Sequence, residues 1–199
     1  MSIAKKYIEG LKKAYFDIGQ EEQWNHFEKI VQGAAQENIN KLYSKYPQIP
    51  ESLIHLLQFV DGTYWREYAG EKVSFYFLGS DLEEYPYYFL SSEEMMDAQE
   101  MDWLKDYVNR EYEDMVQMDE KIIDNADEMN WLHFSDCMNN GGTSQLFVDF
   151  SPSKKGVNGQ ILRYLHDPDE IEVIADSFDE YLQMLIDNGY DFVGEEEEE

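Results

Sequence analysis

Apolar residues recur first at helical and then at strand spacing along the chain. Over residues 3–18, Ile3, Tyr7, Leu11, Ala14, Tyr15 and Ile18 follow steps of three and four, with Lys5, Lys6, Lys12 and Lys13 elsewhere on the surface. This predicts an amphipathic helix. A second helix is expected over about 21–45, including Trp24, Phe27, Ile30 and Val31. Pro50 opens a third, because proline lacks the N–H that a first helical turn leaves unpaired. Leu53, Ile54, Leu57 and Val60 form its stripe, and Gly62 stands just past its end as a stop. Glu71 to Leu78 is rich in aromatic and β-branched residues and predicts a strand ending at Gly79; Tyr87 to Leu90 predicts a shorter one. Ser91 or Ser92 then caps a long acidic helix over about 92–127, with Met101, Leu104, Val108, Tyr112 and Met115 on one face.

The remainder reads as short strands and a closing helix. Trp131 to Phe134 and Leu146 to Phe150 are strands on either side of a turn at Asn139-Asn-Gly-Gly142. Ile161 to Leu165 and Ile171 to Ala175 flank Asp167-Pro-Asp-Glu170, a hairpin connection. Ser177-Phe-Asp-Glu180 is a capping box, in which serine and glutamate satisfy each other's terminal N–H groups. Phe178, Tyr181, Leu182 and Leu185 form the last apolar face, and Gly189 closes it. Helices at both ends with short antiparallel strands between them predict an α+β fold. Without repeats or a linker, residues 1–194 read as one domain with an acidic helical insertion at about 91–128. The Glu195–Glu199 run reads as a disordered tail.

Charge alters the picture. Asp plus Glu is 43 against 15 Lys plus Arg, a net of -28. The excess is uneven: residues 1–80 are net -1, 81–129 net -14 and 130–199 net -13. Such a chain repels phosphate backbones and anionic lipid, which argues strongly against direct nucleic-acid and membrane binding. It attracts a basic partner, although solubility alone also accounts for acidity. The sole cysteine, Cys137, follows Asp136, which disfavours a thiolate, and reads as structural. With no disulfide framework, leader or apolar span, a cytoplasmic location is expected.

Chemistry-bearing motifs are absent. His26, His55, His133 and His166 lack partners at metal-ligand spacing, so no metal and no cofactor is expected. Asn140-Gly-Gly-Thr-Ser144 lacks the lysine and following helix of a phosphate loop and reads as a turn. Glu21-Glu22, Glu83-Glu84, Glu93-Glu94 and Asp119-Glu120 show no sign of the divergent environments that acid–base pairs need. No catalytic residue is assigned, and the chain is not read as an enzyme.

The order of blocks carries a resemblance. Ile49-Pro-Glu-Ser-Leu-Ile-His-Leu-Leu-Gln-Phe-Val-Asp-Gly62 resembles a hydrophobic helix block of the SUKH superfamily, which includes the Smi/Knr regulators and many bacterial proteins. Gly141-Gly142 before Leu146-Phe-Val-Asp149, the strand Gly159 to Tyr164, and Ile174-Ala-Asp-Ser-Phe-Asp-Glu-Tyr-Leu182 are similar to its later blocks. The resemblance covers roughly 20–62 and 130–190; residues 81–129 stand as an insertion. It implies a twisted, mainly antiparallel sheet with helices mostly on one side. It also implies a non-enzymatic binding role: an immunity protein (antitoxin) that neutralises a cognate toxin, here a basic nuclease domain. The alternative is a Smi/Knr-type intracellular scaffold or regulator. The expected partner-binding residues are Glu83, Glu84, Glu93, Glu94, Asp97, Asp102 and Asp106 in the acidic segment. Tyr64 and Trp65, together with Tyr68, form a second candidate patch, although aromatics fill cores more often than they anchor interfaces.

Overall fold

The computed structural model describes residues 2–82, 85–97, 101–112, 116–137 and 144–194. The Ser2 side chain accepts the Lys5 N–H and starts α1 (Ile3–Asp17), which buries Ala4, Tyr7, Leu11 and Tyr15. What the pattern reads as one helix over 21–45 is two, α2 (Glu21–Ile30) and α3 (Gln36–Lys45). The break has a packing cause. Gly33 passes so close to α4 (Glu51–Phe59) that a Cβ there would lie 2.0 Å from the Gln58 carbonyl oxygen. Ala34 N–H donates to Leu57 O at 2.8 Å, and Asp61 N–H donates to Gln32 O at 2.9 Å. The connector therefore bonds to α4 and its exit instead of to itself.

Gly62 is not the stop of α4. That helix ends at Phe59, and Val60 is already extended (φ -145°, ψ 128°). Gly62 is needed because its φ is +93° and because a Cβ there would meet the Ser91 nitrogen at 2.8 Å.

A short hairpin follows, β1 (Arg66–Tyr68) antiparallel to β2 (Glu71–Val73). The strand expected to run to Leu78 stops at Val73. Beyond it, side-chain donors take carbonyls that a ladder would use. Tyr15 Oη donates to Tyr76 O at 2.8 Å, Tyr7 Oη to Phe77 O at 2.7 Å and Tyr181 Oη to Gly79 O at 2.7 Å. Buried tyrosines thus tie this segment to the terminal helices, each hydroxyl finding the partner that burial demands.

The remaining elements are β3 (Tyr88–Phe89), α5 (Ser92–Asp97), α6 (Asp102–Val108), β4 (Gln117–Met118), a 3-10 turn (Ala126–Glu128), β5 (Trp131–Cys137), β6 (Ser144–Asp149), β7 (Gln160–Leu165), β8 (Glu170–Ala175) and α7 (Phe178–Asp187). Six strands form one sheet in the order β3-β5-β6-β7-β8-β4. All pairings in it are antiparallel except β4 with β8. The architecture is α+β, as expected. The predicted box at α7 is present on the serine side, where Ser177 Oγ accepts the Glu180 N–H at 3.2 Å.

Alternation along the central strands sends side chains to two buried faces. Leu132, Phe134, Leu146, Val148 and Ile161 meet α1–α4, α7 and Met95 of α5. Trp131, Phe147, Leu162, Tyr164 and Ile171 meet Leu104 and Val108 of α6, with Ile122 and Ala126. Most helices therefore lie on one side, and the later part of the acidic segment covers the other.

That segment is not one helix. A helix over 92–127 would run about 54 Å, whereas six-residue strands span only about 20 Å. The chain instead places α5 on the first face and α6 on the second, then adds β4 to the sheet edge. Leu104 and Val108 of the expected apolar stripe are buried as foreseen, while Tyr112 is 43% exposed. Met115, the turn at 139–142 and the 195–199 run lie outside the described residues.

Among the polar side chains buried in the sheet are Asp149 and Arg163. Asp149, which ends β6, is fully buried and accepts from Ser151 N at 2.7 Å and from Gln160 Nε2 at 2.9 Å. Arg163 on β7, 3% exposed, donates through Nε to Asp81 at 2.6 Å and through Nη1 to Glu170 at 2.5 Å. Burial alone would lower the Arg163 pKa, but its two carboxylate partners raise it and keep it charged.

Candidate functional site

The expected partner-binding residues fall on separate surfaces. Around α5, several charges have defined local partners. Glu94 Oε2 accepts both the N–H and the Oγ–H of Ser91, each at 2.7 Å, and Glu94 N–H donates to Ser91 Oγ at 3.2 Å. Glu94 is thus half of a capping box that starts α5. Asp61, 6% exposed, accepts the Ser92 N–H at 2.7 Å. Arg66 bridges Asp61 at 3.3 Å and Glu93 at 3.1 Å. Partial burial opposes the charge on Arg66, but Glu93 and Asp61 raise its pKa on balance. Asp97, the last residue of α5, is exposed; partial burial lowers the Lys45 pKa on balance, Asp97 opposes that shift, and Lys45 Nζ donates to Met96 O at 3.2 Å.

Beside α5 lies an aromatic edge. Tyr88 on β3, one of the two edge strands of the sheet, packs against Tyr64 at 4.7 Å and Tyr76 at 4.8 Å between ring centroids. Trp65 is 59% exposed and holds a left-handed backbone (φ 49°), with Lys72 Nζ 5.7 Å from its ring. A tryptophan held in this conformation carries local strain. Tyr64, Trp65 and Glu93 therefore come together at one sheet edge. Tyr68 does not join them: it is 6% exposed and donates to Gly62 O at 2.8 Å, in the core.

Asp102 and Asp106 belong to the opposite face. Asp102 begins α6, and Asp106 is exposed one turn later. Glu83 and Glu84 lie outside the described residues.

Around Asp106 stand several rings, of which the helical stripe includes only Tyr112. Trp103 and Tyr112 are each 43% exposed. Trp103 stands edge-on to Tyr164 at 4.7 Å and to Tyr107 at 6.3 Å, and Tyr107 is edge-on to Tyr112 at 5.7 Å. Asp169 anchors this group, accepting from Tyr107 Oη at 3.0 Å and Tyr164 Oη at 3.1 Å, with His166 Nδ1 at 2.7 Å. Burial and then the Asp169 carboxylate raise both phenol pKa values, so both hydroxyls remain protonated donors. The available signal was Trp103 and Tyr107 at a spacing of four within an acidic run. No spacing rule could add Tyr164 and Asp169 from another element.

A depression of about 780 Å³ between Arg110, Glu120, Ile122, Pro152 and Lys155 offers little free chemistry. Arg110 donates to the carbonyls of Val108 and Ile122, and Lys155 pairs with Glu120. Among the described residues no group of three or more His, Cys, Asp or Glu is placed to hold a metal ion. No helix among them is long and apolar enough to cross a membrane.

Residues 33–184 match the SMI1 / KNR4 family (SUKH-1). The chain belongs to that family. The match runs from the Gly33 connector to α7 and so takes in the whole six-stranded sheet and both surfaces described above. No curated relative matches the chain. Membership in the SUKH-1 family supports an immunity-protein-like or Smi/Knr-type role. It also gives the motif residues a structural meaning: Asp61 and Gly62 join α4 to the start of α5, and Asp149 closes β6.

Proposed function

We propose that the protein is a non-enzymatic immunity protein that binds and neutralises a cognate toxin through its acidic surface, and that the toxin is a basic nuclease domain. The observation that carries this reading is the family match combined with an acidic excess of -14 in residues 81–129. A nuclease that grips phosphates presents a basic cleft, and an acidic inhibitor is attracted to the same charges. Complementary charge raises the association rate and weakens the complex as salt rises.

The reading includes Glu93, Glu94, Asp97, Asp102, Asp106, Tyr64 and Trp65 as partner-binding residues, with Glu83 and Glu84. Within that set, Glu93, Tyr64 and Trp65 share the sheet edge, while Asp106 shares the opposite face with Trp103. Glu94 also serves the fold through its capping box.

Affinity capture from cells containing the whole gene neighbourhood, at low and then high salt, tests the proposal. One basic secreted partner released by salt supports it. Several partners insensitive to salt would replace it with the Smi/Knr-type scaffold reading, which family membership also allows. Charge reversal at Glu93, Asp97, Asp102 and Asp106 that left toxin protection intact at physiological salt would count against the acidic interface.

A further inference from the structure

We propose that the face formed by α6 and the β7–β8 turn is a clamp for a single arginine side chain projecting from a basic partner protein. This deepens the proposed function and rests on its expectation of a basic partner.

Three observations meet here. The first is exposed aromatic surface. Of four large hydrophobic side chains exposed among the described residues, two are Trp103 and Tyr112. They flank Tyr107, whose ring is 90° to Trp103 and 83° to Tyr112. Each edge-to-face contact covers one ring face, yet Trp103 and Tyr112 keep 43% of their surface exposed, and an exposed ring face attracts a cation.

The second is fixed geometry. Tyr107 and Tyr164 direct their hydroxyls to the two oxygens of Asp169, and Trp103 packs on Tyr164 at 4.7 Å. The rings are therefore held by the sheet, which reduces the ordering cost of binding.

The third is charge. Residues 101–130 hold ten acidic and three basic residues. Two of the basic three are turned to the protein itself: Arg110 donates to backbone carbonyls and Lys121 pairs with Asp176. Asp106 and Glu111 are exposed on the same short stretch as Trp103 and Tyr112. Exposed rings beside exposed carboxylates suit a cation rather than an apolar helix. Arginine fits better than lysine, because its planar guanidinium stacks on a ring and still donates in-plane to a carboxylate. The aromatic edge at Trp65 differs, since Lys72 already lies over that ring and Arg66 sits beside it.

The test labels the indole N–H groups of the four tryptophans in the full chain with nitrogen-15. It then titrates acetyl-Gly-Arg-Gly-Arg-Gly-amide at low salt, with the uncharged citrulline peptide as control. Trp103→Phe assigns the signal and keeps a ring in place. The expected result is a saturable shift of the Trp103 indole with the arginine peptide, none with citrulline, and a static Trp65 signal. Asp106→Asn combined with Tyr112→Ala, both at exposed positions, weakens binding about tenfold. A static Trp103 signal, or one that moves equally with citrulline, overturns the clamp.

The two proposals fail separately. If the arginine peptide seats at Trp103 but capture yields no basic partner, the clamp stands and the toxin reading falls. If a basic partner is captured and binds the Trp103→Ala and Tyr112→Ala variants unchanged, the clamp falls and the toxin reading stands.

Discussion

The Asp61 carboxylate accepts the backbone N–H of Ser92 at 2.7 Å, so a residue just beyond α4 caps a helix that begins thirty-one positions later. Arg66 holds the other oxygen at 3.3 Å. This contact sets where α5 starts and, with it, where Glu93 stands beside the Tyr64–Tyr88 edge. Asp61→Ala leaves the Ser92 N–H without its acceptor and Arg66 with a single carboxylate. We expect a loss of about 2 kcal/mol in urea unfolding. Asp61→Asn, which keeps an acceptor oxygen, loses about half as much. A change under about 0.5 kcal/mol for the alanine variant would show that the cap is dispensable.

Glu94 and Glu93 are neighbours with different duties. Glu94→Ala breaks the reciprocal box with Ser91 and costs about 1 kcal/mol of stability. Glu93→Ala removes one exposed ion pair and changes stability by less than about 0.5 kcal/mol. Thermal unfolding of the two variants side by side checks this order. Equal losses would mean that the box carries no stabilisation.

Trp65 allows binding to be separated from folding. Its left-handed backbone (φ 49°) suits glycine better than tryptophan, and its side chain is mostly exposed. Trp65→Gly should match or exceed the parent in stability, by up to about 1 kcal/mol, while removing the largest ring at the sheet edge. A lower melting temperature would show that the indole packs more than it strains. Unchanged stability with weakened partner capture would mark the ring as a contact.

Arg163 is a buried charge on a central strand of the sheet, held by two carboxylates. Replacing it with alanine leaves Glu170 and Asp81 facing each other without a cation, and we expect a loss of about 3 kcal/mol by chemical denaturation. Adding Glu170→Gln should recover part of that loss, because one uncompensated charge disappears. If the double variant is no better than Arg163→Ala, the cost arises from lost packing.

Asp169 links stability to pH. Partial burial pushes its carboxyl up, but hydrogen bonds from His166, Tyr107 and Tyr164 hold it below the ordinary 3.8 on balance. A carboxylate held down in the folded state contributes stability above its unfolded value, and that contribution is lost as pH falls through the folded value. Asp169→Asn should therefore cost about 1 kcal/mol at neutral pH, and the gap between variant and parent should close in the acid range below 3.8. A gap independent of pH would show that the carboxylate charge has no part in holding the two tyrosines.

Local rules in the sequence were sufficient for much of the fold. The Ser177 cap, the Pro50 start, the strands around Leu146 and Ile161 and the stripe of α1 each follow from neighbours a few residues apart, and each is present. The errors share one cause, which is a contact distant in sequence. The split at Gly33 follows from α4, the strand end at Val73 from tyrosines on α1 and α7, and the bent path of 92–127 from a sheet with a second apolar face.

The candidate surfaces divide in the same way. Residue order and composition alone determined that this chain is acidic, carries no metal-spacing motif and concentrates its charge after residue 80. Only the tertiary structure decided that Glu94 caps a helix, that Tyr68 is core, and that α5 and α6 face opposite ways. It also gathered Trp103, Tyr107, Tyr164 and Asp169 from two distant segments. Charge and periodicity are properties of a sequence window, whereas a surface is set by which windows the sheet brings together.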